Sequence, residues 1–70
     1  MIPLSLADTG KEQTIKKIGG NAEVRQHLEN LGFVTGGSVA IISVMNGNVI
    51  VKVKESRIAI SEELARKIMV

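Results

Sequence analysis

The chain offers little to a chemist looking for a reactive centre. His27 is its only histidine and it has no cysteine, so no thiolate metal site and no disulfide can form. A transition-metal site needs three or four converging ligands. Only Glu23, four residues before His27, could share its face of a helix. His27 therefore reads as a half-buried structural histidine at the border of an apolar stripe, with a partner contact or a metal ligand as the other roles open to it. No tight binding of Fe²⁺ or Zn²⁺ is expected from one histidine. The seven acidic residues fall at turns and helix starts, where capping and solubility account for them, and general acid–base work needs two groups held together in a cleft. Gly36-Gly37-Ser38 has neither the length nor the following helix of a phosphate loop and reads as a turn into a strand. The expectation is no enzyme, no catalytic residue, no metal site and no cofactor.

Charge narrows the partners. Nine basic residues against seven acidic ones give a net charge of +2, and no basic run exceeds the pairs Lys16-Lys17 and Arg66-Lys67. Nucleic-acid surfaces are denser in cations. Phe33 is the single residue of the Phe, Trp and Tyr class, so bases have almost nothing to stack on. Lys52, Lys54 and Arg57 do form a small basic strip. It reads as a solvated edge that discourages aggregation, as a contact for an acidic protein, or as a contact for nucleic acid. No apolar run approaches the length of a membrane span, and Met1-Ile2-Pro3-Leu4 lacks the positive start of a secretory signal. No membrane insertion and a cytoplasmic location are expected.

The elements that would position these residues must fit one small domain, residues 1–70. Area scaling gives roughly 4,200 Å² for the folded chain against roughly 11,000 Å² unfolded, enough burial to fold with little to spare. Pro3–Leu6 reads as a short edge segment and Asp8-Thr9-Gly10 as a turn. Glu12–Ile18 reads as a strand ended by Gly19-Gly20. Asn21–Leu31 is the clearest helix, capped by Asn21, with Val24, Leu28 and Leu31 at i, i+4 and i+7 and Gly32 as its left-handed stop. Asn46-Gly47 between two β-rich runs is a strong type I′ hairpin signal.

That turn pairs Met45 with Asn48. A regular register then sets Ala40, Ile42 and Val44 against Val49, Val51 and Val53 as the core face. It turns Val39, Ile41, Ser43 and Met45 outward beside Asn48, Ile50, Lys52 and Lys54. A turn at Glu55-Ser56 would place Ile58 and Ile60 opposite Val53 and Val51. Ser61-Glu62-Glu63 starts a short helical turn, and Ile68–Val70 is a closing strand. The fold class expected is mainly β: a small SH3-like barrel with an inserted helix over 21–31 and a short C-terminal helical turn.

In order and spacing the chain resembles the FeoA family of small cytoplasmic components of bacterial ferrous iron transport. The resemblance is carried by Pro3-Leu4-Ser5-Leu6, Gly10, Ile15, Ile18-Gly19-Gly20, Leu28-Glu29-Asn30-Leu31-Gly32-Phe33 and Gly37-Ser38-Val39. It continues through Val49–Val53, Arg57–Ile60, Ala65, Ile68 and Val70. The family pattern Leu-Gly-Leu-x-Pro-Gly is altered here, with Thr35 at the proline position and an extra glycine, Gly36, before Gly37. The hairpin loop is short, and Lys54-Glu55-Ser56 stands where a glycine often follows the second hairpin strand.

The resemblance implies an SH3-like barrel without enzymatic activity and, at family level, an association with transition-metal ions. It also implies work beside a large membrane transporter whose cytosolic part binds GTP. The same domain occurs fused to iron-dependent repressors, and a chain starting at Met1 with no helix-turn-helix points to the stand-alone form.

Two other readings compete with the iron-uptake one. A nucleic-acid or ribosome-binding module of the translation-factor type suits the Gly37-Ser38-Val39 strand entry. A metal-binding regulator has His27 and scattered carboxylates behind it. For a protein partner, the expected surface is the Leu31-Gly32-Phe33 corner with Leu31 and Phe33, the outward Ile41 and Ile50 (unless the helix covers them), and the rim lysines Lys52 and Lys54. Self-association is left open.

Overall fold

A computed structural model describes all 70 residues. Leu4–Leu6 forms a 3₁₀ turn. It is followed by β1 (Glu12–Thr14), β2 (Lys17–Ile18), α1 (Ala22–Leu31), β3 (Ser38–Met45), β4 (Asn48–Val53), β5 (Ser56–Ser61), α2 (Glu62–Ala65) and β6 (Ile68–Met69). One sheet has the order β1-β3-β4-β5 and a second joins β2 to β6, with every pair antiparallel.

The Glu12–Ile18 stretch is two strands rather than one, because the chain changes sheets in its middle. Ile15 exchanges backbone hydrogen bonds with the Gly36-Gly37 loop, while the N–H of Lys16 donates to the Met69 carbonyl. Ile15 itself is buried between the two sheets' ends. The N-terminal segment also differs from expectation. Pro3 makes one isolated bridge to Met69, and the chain then coils so that Leu4 is fully buried.

The helix forms as its caps dictate. The Asn21 side chain accepts from the Val24 N–H at 2.9 Å, and Glu23 lies in the positive first turn. At the other end Gly32 has φ 108°, the Gly32 N–H donates to the Glu29 carbonyl, and the Phe33 N–H donates to the Leu28 carbonyl. This is the paired bonding of a Schellman cap, which needs a left-handed residue. Only Leu28 of the helix is fully buried, while Val24 and Leu31 pack on the core half-buried. His27 is exposed, not half-buried, since this narrow stripe leaves it on the solvent side.

The β3–β4 hairpin begins as the sequence predicts. Asn46 and Gly47 both have positive φ, Met45 pairs Asn48 and Val44 pairs Val49. The register then shifts between Ile41 and Ser43. Ile42 is the extra residue of a β-bulge, and a one-residue insertion exchanges the two faces of a strand. From Ile41 back to Ser38 the expected faces are therefore reversed. Ile41 pairs Val51 and Val39 pairs Val53, and both are in the core at 2% and 1% exposure. Ala40 and Ile42 are only half-buried, and Val44 near the hairpin tip is 57% exposed.

Val49, Val51 and Val53 face the core as expected. The next turn lies at Lys54-Glu55, one residue earlier than expected, since Val53 pairs Ser56. Ile58 and Ile60 accordingly lie opposite Val51 and Val49. Their face is unchanged because the partner moves by two. The short α2 is capped by the Ser61 hydroxyl, which accepts from the Leu64 N–H at 3.2 Å.

The fourteen buried residues are all apolar, and no buried side-chain polar atom lacks a partner. The accessible surface is 4415 Å², close to the value scaling gives for this mass. No helix is long and apolar enough to cross a membrane.

Candidate functional site

The outer face of the four-stranded sheet carries the one concave feature of the molecule. Glu12 pairs Ala40, Ala40 pairs Lys52 and Lys52 pairs Arg57, so a row crosses all four strands with a small residue at its centre. Paired residues point to the same face of a sheet. On the central strand β3 the outward side chains are short, Ser38 and Ala40. On the flanking strands they are long, Glu12 on β1 and Lys52 on β4. The result is a trough of about 180 Å³ with Ser38 and Ala40 lining it, Glu12 on one rim, and Lys52 and Lys54 on the other. Gly32 and Val34, where α1 ends, close one end.

The electrostatics of this trough are one-sided. The molecule has two ion pairs, Lys11–Asp8 at 3.6 Å and Arg66–Glu62 at 2.9 Å. Lys52, Lys54 and Arg57 belong to neither, and all three are exposed. Lys54 also has φ 54°, in the left-handed region that costs an L-residue roughly 1–2 kcal/mol. A glycine would sit there without strain.

The residues expected at a docking surface divide in two. Lys52 and Lys54 line the trough. Ile50 lies half-buried on the same outer face, between Ser43 and Ala59. Leu31 is half-buried and packs on the core at the helix end beside Gly32. Ile41 and Phe33, in contrast, are core residues at 2% and 0% exposure. The bulge turns Ile41 inward, and the Schellman cap folds Phe33 back under the helix, so neither presents a surface.

The sequence assigns Ala40 to the core face and Ser38 to a turn into the strand, and points to neither Glu12 nor Val34. Their meeting depends on the β1–β3 pairing and on the bulge, for which no local signal exists. His27 lies outside the trough, and no three His, Cys, Asp or Glu side chains converge.

The whole chain has known relatives. The family model for the FeoA domain matches residues 2–70. The chain belongs to the FeoA family. This FeoA chain is 41% identical to a protein of Methanocaldococcus jannaschii that carries the name Fe(2+) transport protein A, over 100% of this chain and 85% of that one. It superposes on a crystal structure of an iron uptake regulatory protein, FeoA, with a TM-score of 0.90 and 32% identity, covering 99% of this chain and 92% of the other. It also matches a Stenotrophomonas maltophilia FeoA crystallised with zinc and described as an SH3 domain protein, with a TM-score of 0.84 and 22% identity over 100% of this chain and 89% of that one. The fold of this FeoA chain is thus the SH3-like barrel, with the helix α1 inserted before β3.

Proposed function

We propose that this protein is a non-catalytic cytoplasmic accessory of ferrous iron uptake, acting by docking on the membrane transporter whose cytosolic part binds GTP. The observation that carries the reading is the trough on the outer sheet face, rimmed by unpaired Lys52 and Lys54, on a chain whose relatives are named for Fe²⁺ transport and for iron uptake regulation. A rim of free cations around short side chains suits a protein partner: the cations steer encounter and the short floor leaves room for the partner's side chains. The half-buried Leu31 and Ile50 flank this surface. Ferrous ion is the cargo of the system in this reading and is not held by the small protein.

The test is calorimetric titration of the purified chain into the cytosolic GTP-binding part of the Fe²⁺ transporter from the same cell, together with ⁵⁵Fe²⁺ uptake by cells lacking the chain. Saturable binding and reduced uptake are expected. Unchanged uptake with no binding would overturn the reading. Tight RNA binding with a steep salt dependence would replace it with the translation-factor alternative.

A further inference from the structure

We propose that the trough is a receptor for an extended acidic segment of a protein partner. This rests on the docking role above and adds the chemistry of what docks. Three independent features point the same way.

The first is size. A volume of about 180 Å³ falls below the roughly 300–1,000 Å³ of small-molecule sites. It suits the side chains of an extended chain better than an enclosed small molecule.

The second is charge. Lys52 lies on β4 and Lys54 in the turn that follows it, and both line the trough. Their two cations stand on one wall, along which an extended peptide can set more than one carboxylate. Arg57, paired with Lys52, widens the cationic rim. Glu12 on the far rim confines the acidic side of the ligand to the lysine wall. It also disfavours a phosphate backbone, which would meet that carboxylate.

The third is strain. Lys54 keeps a left-handed backbone in a position where glycine would be unstrained. The two-residue turn between Val53 and Ser56 imposes this backbone, and it fixes a cation at the trough's rim.

The experiment uses two probes. One is a fluorescein-labelled Ser-Asp-Val-Asp-Val-Asp-Ser peptide, with Ser-Lys-Val-Lys-Val-Lys-Ser as its opposite. The other is the transporter's cytosolic GTP-binding part. The proteins are wild type, K52E/K54E, and K16E/K17E, which makes the same charge change at exposed lysines away from the trough. Circular dichroism confirms that each folds.

The acidic peptide and the transporter part should both bind the wild type and lose about tenfold or more in affinity with K52E/K54E, as reversal of two interface charges does. K16E/K17E should lose less than about threefold, and the basic peptide should not bind. Equal losses in the two double variants would show a net-charge effect and overturn the proposal, as would an acidic peptide that fails to bind the wild type. If the transporter part binds wild type and K52E/K54E equally, the docking role stands and the trough is not its site. If the acidic peptide behaves as expected but the transporter part binds no variant, the trough stands as an acidic-peptide receptor and the transporter reading falls.

Discussion

The bulge at Ile42 makes a sharp prediction about Ile41, with Val44 at the exposed hairpin tip as the control. In a regular hairpin Ile41 would lie on the surface, while Val44 pairs Val49 in either register. Here Ile41 is 2% exposed and Val44 57%. Ile41→Ala deletes a buried side chain with no room for collapse, which costs about 2–5 kcal/mol. Val44→Ala removes two exposed methyls and should change stability by less than about 0.5 kcal/mol. A domain of 70 residues has roughly 3.5–10 kcal/mol in total, so Ile41→Ala consumes a large part of it. The milder Ile41→Val, at about 0.5–1.5 kcal/mol, keeps the comparison measurable. Urea unfolding should be followed by far-ultraviolet circular dichroism, because the chain has no Trp or Tyr to fluoresce. With a slope near 1 kcal/mol/M, typical of so small a domain, Ile41→Ala should lower the midpoint by about 2 M or more. Val44→Ala should hardly move it. A loss of less than about 0.5 kcal/mol for Ile41→Ala would refute the bulge and restore the regular register, which turns that side chain outward.

Two further substitutions probe the backbone around the trough. Gly32→Ala should destabilise by roughly 1–2 kcal/mol from its left-handed φ alone, since the new Cβ would meet only Lys54 and Val53 side-chain atoms, at 3.8 Å. That is a fall in melting temperature of about 4–8 °C per kcal/mol, and an unchanged melt would show that the helix does not depend on this cap. Lys54→Gly should raise stability by about 0.5–1 kcal/mol, the strain relieved less the added backbone entropy of glycine, while weakening the acidic peptide. A loss of stability would show that the lysine side chain contributes more to the fold than its strained backbone costs.

Local chemistry made parts of this fold readable in advance. Asn21 and Gly32 mark their helix by bonds that close within four residues, and Asn46-Gly47 defines its turn by two positive φ angles. The β4 alternation of Val49, Val51 and Val53 with Ile50 and Lys52 is clear enough to fix its inward face. Strand β3 offers no such contrast, because Val39, Ala40, Ile41 and Ile42 are apolar without interruption and either parity satisfies the pattern. The bulged residue is an isoleucine, with none of the glycine that marks many bulges. The turn at Lys54-Glu55 was hidden for a related reason, a lysine occupying a left-handed position. The division of Glu12–Ile18 between two sheets depends on Gly36, Gly37 and Met69, partners distant in sequence. The trough inherits all of these obscurities, and of its lining the sequence points only to Gly32, Lys52 and Lys54.

The bulge links the core to the site. Without it, β3 would carry Val39 and Ile41 on the outer face beside Lys52 and Lys54. Two branched side chains would then fill the space between the β1 and β4 rims, leaving a flat apolar surface edged by lysine. The extra residue at Ile42 sends both inward, where they complete the cluster with Val51 and Val53. In their place Ser38 and Ala40 turn outward as the low floor of the trough. One inserted residue thus contributes two aliphatics to the interior and opens a concavity on the exterior. It follows that deleting Ile42 removes the bulge without exchanging the faces, because Ile41 can still pair Val51 and Ala40 can still pair Lys52. A deletion variant that is folded by circular dichroism should therefore keep the trough and bind the acidic peptide. Filling the floor separates shape from charge: Ala40→Ile should block the peptide while Lys52 and Lys54 remain. An Ala40→Ile variant that is folded by circular dichroism and still binds that peptide with wild-type affinity would show that the lysines alone, without the shape of the trough, suffice for recognition.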